Sequence, residues 1–220
     1  MDTGSDPDRG SEPLTGIGAS GPLEAVRAVV LVEGDSDRAA VETLAARRGR
    51  DLAGEGVAVL AMGGASNIGH FLERYGPAGL GLRVCGLYDQ AEVGYFRRGL
   101  ERAGLLPRYL DTRTALARST ESRLAMEEFG FYVCVTDLED ELIRALDPEV
   151  ILEILRTEGE LGSFHTLQRQ PAHRGRSLEQ QLHRFLGTRA GRKVRYGRLL
   201  VEALDLTRVP RPLDQALTHV

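Results

Sequence analysis

The 220-residue chain has no tryptophan, two cysteines and, among 28 Lys and Arg, a single lysine, Lys193. Each scarcity excludes something. Cys85 and Cys134 both lie inside apolar runs, so buried thiols in a reduced, cytoplasmic compartment are expected rather than a disulfide framework or a zinc site. No His or Cys cluster has zinc-ligand spacing either. No apolar run approaches the ~20 residues of a membrane-spanning helix, so no membrane association is expected. No charged-then-apolar segment of the signal-peptide kind opens the sequence. A P-loop, Gly-x-x-x-x-Gly-Lys-Ser/Thr, is also missing, because "GTRAGRK" lacks its spacing and its hydroxyl. With arginine as the default cation, the lone lysine is either chance or a position that needs a compact, titratable ammonium.

The formal net charge of −4 is unevenly spread, since residues 165–200 hold nine basic residues and one acid, Glu179. Such a chain can bind a cation in its acidic part and a polyanion in its basic third. A solvated basic helix face is the plainer reading of the run by itself.

Residues 1–20 are rich in Gly, Ser, Pro and Asp without an apolar period and read as a disordered tail, with order beginning near Leu23. Residues 21–148 then alternate short apolar runs with helical patterns. Strands are expected at 28–32, 57–62, 82–88 and 131–135, with helices near 36–47, 67–75, 93–103, 120–128 and 137–146. Asn67 reads as the N-cap of its helix. Strands that are apolar throughout and alternate with helices make an α/β fold, a parallel sheet of about four strands with helices on both faces. Residues 149–220 read as a mostly helical extension packed on that domain and completing its site. Helices are expected near 149–157, 177–186 and 192–204, with "GSFHTLQRQPAHRGR" as a long loop between the first two. Phe164 in that loop could stack on a nucleobase or belong to an ordinary surface connection.

Acids gather where the strands end. "VLVEGDSDR" places Glu33, Asp35 and Asp37 directly after the first strand, "GLYDQAE" places Asp89 and Glu92 after the third, and "VTDLED" places Asp137 and Glu139 after the fourth. In open parallel sheets ligands bind beyond the carboxyl ends of the strands. Clustered carboxylates need raised pKa values or a cation, and all-oxygen sets suit Mg²⁺, Mn²⁺ or Ca²⁺. Each acid also has a structural account. Asp35 or Ser36 could cap a helix, Asp37 could complement its dipole, and Thr136 to Glu139 spell a capping box. Glu33 gains nothing obvious from capping. A third option is a phosphorylated small molecule bound by "GGASN" at a helix N-terminus, a weak signal.

"VLVEGDSD" resembles the first motif of the Toprim domain, a hydrophobic strand followed by Glu-Gly and an acid four places after the glutamate. "GLYDQAE" is similar to its second motif, Asp-x-Asp after the third strand. "MGGASNIGHFLERYG", "FYVCVTDLEDELIRAL" and "GRKVRYGRLLVEALDLTRVPRPLDQAL" are similar to later segments of the OLD (overcoming lysogenization defect) endonucleases, and the likeness spans about residues 26–218. It implies a Toprim-like, Rossmann-like sheet and a Mg²⁺- or Mn²⁺-dependent endonuclease, a hydrolase acting on DNA. Glu33 would be general base or first metal ligand, and Asp37, Asp89 and Glu139 would hold metal, with Glu92 and Asp137 as further candidates. Lys193 would stabilise the phosphate or leaving group. Arg192 and Arg195, with Arg189 and Arg169, would contact nucleic-acid phosphates. The usual Asp-x-Asp is here Asp89-Gln90-Ala91-Glu92, which puts one metal position in question. OLD endonucleases join this domain to an ATPase, so a separate ATPase is an expected partner. A non-catalytic module that binds nucleic acid or that ATPase is the alternative, and nucleases of this kind often pair as homodimers.

Overall fold

The computed structural model describes residues 26–106, 115–188 and 190–220, the side chains at 115–120 and 190 aside. The expected tail over residues 1–20 lies outside the described residues, as does Arg189. The apolar runs form four strands, Ala28–Val32 (β1), Val57–Ala61 (β2), Arg83–Asp89 (β3) and Phe131–Cys134 (β4). They make one all-parallel sheet in the order β2-β1-β3-β4. All five residues of central β1 are buried. Such a run is stable only where both faces of the strand are covered, as parallel crossovers require.

Successive residues of β1 supply opposite cores, as the two-residue strand period dictates. Ala28, Val30 and Val32 join a core that includes Leu44, Leu142, Leu182, Leu200 and Leu213. Val29 and Leu31 join one that includes Ile68, Leu72, Phe96, Leu100 and Phe131. The first face is therefore covered by Asp35–Arg47 (α1) and the later helices, and the second by Ile68–Tyr75 (α2), Val93–Arg102 (α3) and Ala115–Glu128 (α4). After β4 come Leu138–Ala145 (α5), Pro148–Thr157 (α6), Leu161–Arg169 (α7), Leu178–Leu186 (α8), Ala190–Ala203 (α9) and Arg211–His219 (α10). The core under the first face runs without a break from β1 into α6 to α10.

Helix α9 lies against α1 because Gly197 has no side chain. A Cβ there would fall 2.7 Å from the Ser36 carbonyl oxygen. At the other end of α1, the Arg47 guanidinium donates to the carbonyls of Val201 (2.8 Å) and Leu204 (2.6 Å) at the end of α9, the first of which also accepts the Leu204 N–H. These contacts set where Lys193, one turn before Gly197, stands over the sheet.

Two local expectations change. Residues 161–169 are helix α7 and not loop. Phe164 and Leu167, three apart, are buried, and Phe164 meets Phe185 of α8 edge-on at 5.4 Å between ring centroids. Phe164 is thus a core residue without an exposed ring for a base. Gly162, Ser163 and Thr166 are modest helix formers, and they hide the helical period. The second change is at α5, which is capped by Asp137 and not by Thr136.

Candidate metal centre

Because the strands are parallel, their carboxyl ends share one edge, and each acid reaches it by a different local device. Glu33 follows β1 directly. Its carbonyl accepts the N–H groups of Gly63 (3.0 Å) and Gly64 (3.2 Å), which pins the β1 end to the turn after β2. That turn needs φ of 70° and 123°, values open to glycine. Two amides of the "GGASN" turn are therefore already used. Asn67 stands at the N-cap of α2 as expected, but its side-chain amide donates to the Met62 carbonyl at 2.8 Å and makes no capping hydrogen bond to the helix. Asp37, in the first turn of α1, accepts the Gly34 N–H at 3.0 Å. Asp89 is the last residue of β3. Asp137 caps α5 by accepting the Asp140 N–H at 2.8 Å through Oδ1, while its Oδ2 lies 2.7 Å from His183 Nε2 of α8. Glu139 is 3 % exposed. Its Oε2 lies 3.5 Å from Lys193 Nζ, and its buried Oε1 has no hydrogen-bond partner.

Residues 26–90 match the family model described as "Overcoming lysogenization defect protein-like, TOPRIM domain". Over this segment the chain is similar to an OLD-like TOPRIM domain. The match takes in Glu33, Asp37 and Asp89. Solved structures extend the likeness over nearly the whole chain. The C-terminal region of the OLD protein of Xanthomonas campestris pv. campestris, in a structure phased with iodine, is 25% identical with a TM-score of 0.64, covering 88% of this chain and 93% of that one. The same region phased with mercury gives 24% identity and a TM-score of 0.65, over 88% and 94%. The C-terminal region of the Burkholderia pseudomallei OLD protein is 21% identical with a TM-score of 0.63, over 88% and 96%. No curated protein sequence matches the chain. The fold is that of the C-terminal regions of OLD proteins, and a TOPRIM domain of this kind is in general a metal-binding, nuclease-type domain. Among the described residues no helix is long and apolar enough to cross a membrane.

The electrostatics of the TOPRIM edge follow from burial and crowding. Burial, helped by the charges of Glu33, Asp137 and Asp37, pushes the Asp89 carboxyl up to about 7, with Lys193 pulling the other way. Burial pushes Asp37 up to about 6 against the Gly34 hydrogen bond and the Lys193 charge. Glu139 is pushed up to about 7, again by burial first, with Lys193 opposing and Asp137 adding. At Asp137 burial is outweighed by the His183 and Asp140 hydrogen bonds, so its pKa is lowered. The Asp137 hydrogen bond raises His183. At Lys193 burial is outweighed by Glu139, Asp37 and Asp137, so the ammonium is held more firmly.

Glu33, Asp37, Asp89, Asp137, Glu139 and Lys193 thus form one interacting group. Glu92 ends a 3₁₀ turn, Gln90–Glu92, and makes no hydrogen bond or ion pair among the described residues. The basic candidates behave differently. The Arg192 side chain is 10 % exposed, lies 2.8 Å from Glu160, donates to the Phe185 carbonyl and Thr188, and stacks on the Phe185 ring at 4.1 Å. Arg195 pairs with Glu160 at 2.6 Å and Glu158 at 3.2 Å. Both guanidiniums are committed to protein acids. Arg169 is exposed at the end of α7. The residue that sequence reasoning missed is His183. The ligand atoms of Asp137, Glu139 and His183 all lie within 4.8 Å of one another. The only signal in the sequence was a histidine in an amphipathic helix, which by itself points nowhere.

A divalent cation fits these side chains on two grounds. Several carboxylates surround one ammonium, and the buried Glu139 Oε1 is left without a donor. Buried polar atoms are normally satisfied, and a hard cation satisfies this one.

Proposed function

We propose that the chain is a divalent-metal-dependent phosphodiesterase that cleaves DNA as an endonuclease, with Mg²⁺ or Mn²⁺ as cofactor. One observation carries this reading: Glu33, Asp37, Asp89, Asp137 and Glu139 lie in one linked set with Lys193 at the carboxyl edge of a parallel sheet, and Glu139 keeps an unpartnered buried oxygen. Glu33, Asp37, Asp89 and Glu139 would hold the metal, with Asp137 beside them. When bound, the cation would neutralise the phosphate and ease ionisation of the attacking water. Glu33 would take the proton from that water as its oxygen bonds to phosphorus and the bond to the sugar oxygen breaks. Lys193 would donate to the charge that develops on the phosphate or the leaving oxygen. Since Arg192 and Arg195 are occupied, the exposed Arg169, Arg174 and Arg176 around the end of α7 are the better contacts for a DNA backbone. A separate ATPase is the protein partner this reading implies, and pairing with a second copy is compatible with it.

The test is nicking of supercoiled plasmid with Mn²⁺ by wild type, Glu33→Ala and Lys193→Met, purified in parallel. Activity in wild type that drops at least about a hundredfold in both variants supports the assignment. Equal nicking by all three indicates a contaminant and overturns it. Nicking by none favours a second reading, a non-catalytic module that binds nucleic acid or the ATPase. The replacement of Asp-x-Asp by Asp89-Gln90-Ala91 is what motivates that alternative.

A further inference from the structure

Along the sequence no His or Cys cluster has zinc-ligand spacing, and no histidine neighbours the acids at the strand ends. The fold changes that, since α8 carries His183 to the N-terminus of α5, where Asp137 and Glu139 stand two residues apart. An ion pair between His183 and Asp137 would account for their 2.7 Å contact by itself, simply tying α8 to α5. It does not account for Glu139. That carboxylate is 3 % exposed, one of its oxygens faces Lys193 at 3.5 Å, and the other, Oε1, has no partner. Its neighbour Asp137 has one oxygen held by the Asp140 N–H and the other turned to the imidazole. All three residues offer ligand atoms within 4.8 Å of one another. Donor atoms around one ion with bonds of about 2.0–2.2 Å stand roughly 3–3.5 Å apart. Modest side-chain adjustment therefore closes the set.

Within the acid set proposed above, we infer that Glu139 belongs with Asp137 and His183 to a mixed nitrogen–oxygen metal position, chemically unlike the all-oxygen position left to Glu33, Asp37 and Asp89. The inference rests on the metal-binding part of the function proposed above. Imidazole favours first-row transition ions over Mg²⁺, and Mn²⁺ is the one among them that carboxylates also hold well. The mixed position therefore takes Mn²⁺ in preference to Mg²⁺, and the two positions together accept unlike ions. Asp89 is followed by Gln90 and Ala91, so β3 supplies one carboxylate at that point, and α5 and α8 supply the further donors.

Pulsed electron paramagnetic resonance of the full chain with Mn²⁺ alone reads this directly, without DNA or turnover. The expected result is a ¹⁴N coupling from a bound imidazole in wild type, absent in His183→Gln. Mn²⁺ affinity should fall about tenfold in His183→Gln and at least as much in Glu139→Gln, with Mg²⁺ affinity of His183→Gln nearly unchanged. Asp137 keeps its Asp140 cap in both variants, and the melting curve of each verifies folding. No nitrogen coupling in wild type at saturating Mn²⁺, or a coupling that survives in His183→Gln, overturns the inference. Coupling without plasmid cleavage would sink the nuclease reading and leave this position standing. Cleavage without coupling would do the reverse.

Discussion

Replacing Glu139 by glutamine is expected to stabilise the metal-free protein at pH 8, although it removes a charged partner from Lys193. Burial pushes the Glu139 carboxyl from its ordinary 4.5 up to about 7. A carboxyl raised in this way binds its proton more tightly in the folded than in the unfolded chain. Between the two values the folded state holds the extra proton, so stability falls as pH rises through the window. Below 4.5 the ionisation cost is absent, and above about 7 it is complete. About 2.5 pH units at 1.36 kcal/mol each amounts to about 3 kcal/mol at pH 8. Glutamine keeps the shape and cannot ionise, so it lifts this cost. The Lys193 side chain, 39% exposed, can turn to water when its partner is neutral, which costs at most about 1 kcal/mol. Net stabilisation of about 2–3 kcal/mol raises the melting temperature of a chain this size by roughly 4–12 °C. The assay is thermal unfolding of both proteins in chelator from pH 4.5 to 8, then at pH 8 with Mn²⁺. The gap between the curves should open with pH. Saturating Mn²⁺ should close or reverse it, because ligand binding stabilises the wild type more. A gap independent of pH, or a Glu139→Gln protein less stable than wild type at pH 8, refutes the reasoning.

Three further outcomes are expected. Gly197→Ala should cost about 1–3 kcal/mol in urea unfolding, because its Cβ would meet the Ser36 carbonyl at 2.7 Å, and α9 must shift with Lys193. Lys193→Arg should fail to restore the plasmid nicking lost in Lys193→Met, since a planar guanidinium cannot replace a compact ammonium beside Glu139; full rescue would show that charge alone matters. Arg192→Ala should lower stability by about 1–3 kcal/mol, because it leaves Glu160 short of a partner and uncovers Phe185. Its DNA affinity, measured on folded protein, should stay within about threefold of wild type; a larger loss would make Arg192 a phosphate contact after all.

What the sequence determined by itself is the local grammar of the fold. Fully apolar runs such as Ala28 to Val32 can only be strands buried on both faces, and parallel connectivity follows from the helices between them. An acid directly after such a run must lie at the carboxyl edge, so the neighbourhood of Glu33, Asp37 and Asp89 was legible from position alone. Helix α7 was not, because its few apolar residues are interrupted by Gly162, Ser163 and Thr166.

Tertiary structure alone decided which side chains from distant segments meet that edge and which do not. Arg192, Lys193 and Arg195 are near neighbours in one helix, yet the first and last pair with Glu158 and Glu160 while Lys193 faces Glu139. A helix presents successive residues about 100° apart, and only packing against α1 through Gly197 chooses the face that looks at the sheet. His183 acquires its partners in the same way. Its closeness to Asp137 and Glu139 comes from the seating of α8 on α5, a contact between residues far apart in the chain that no local pattern encodes.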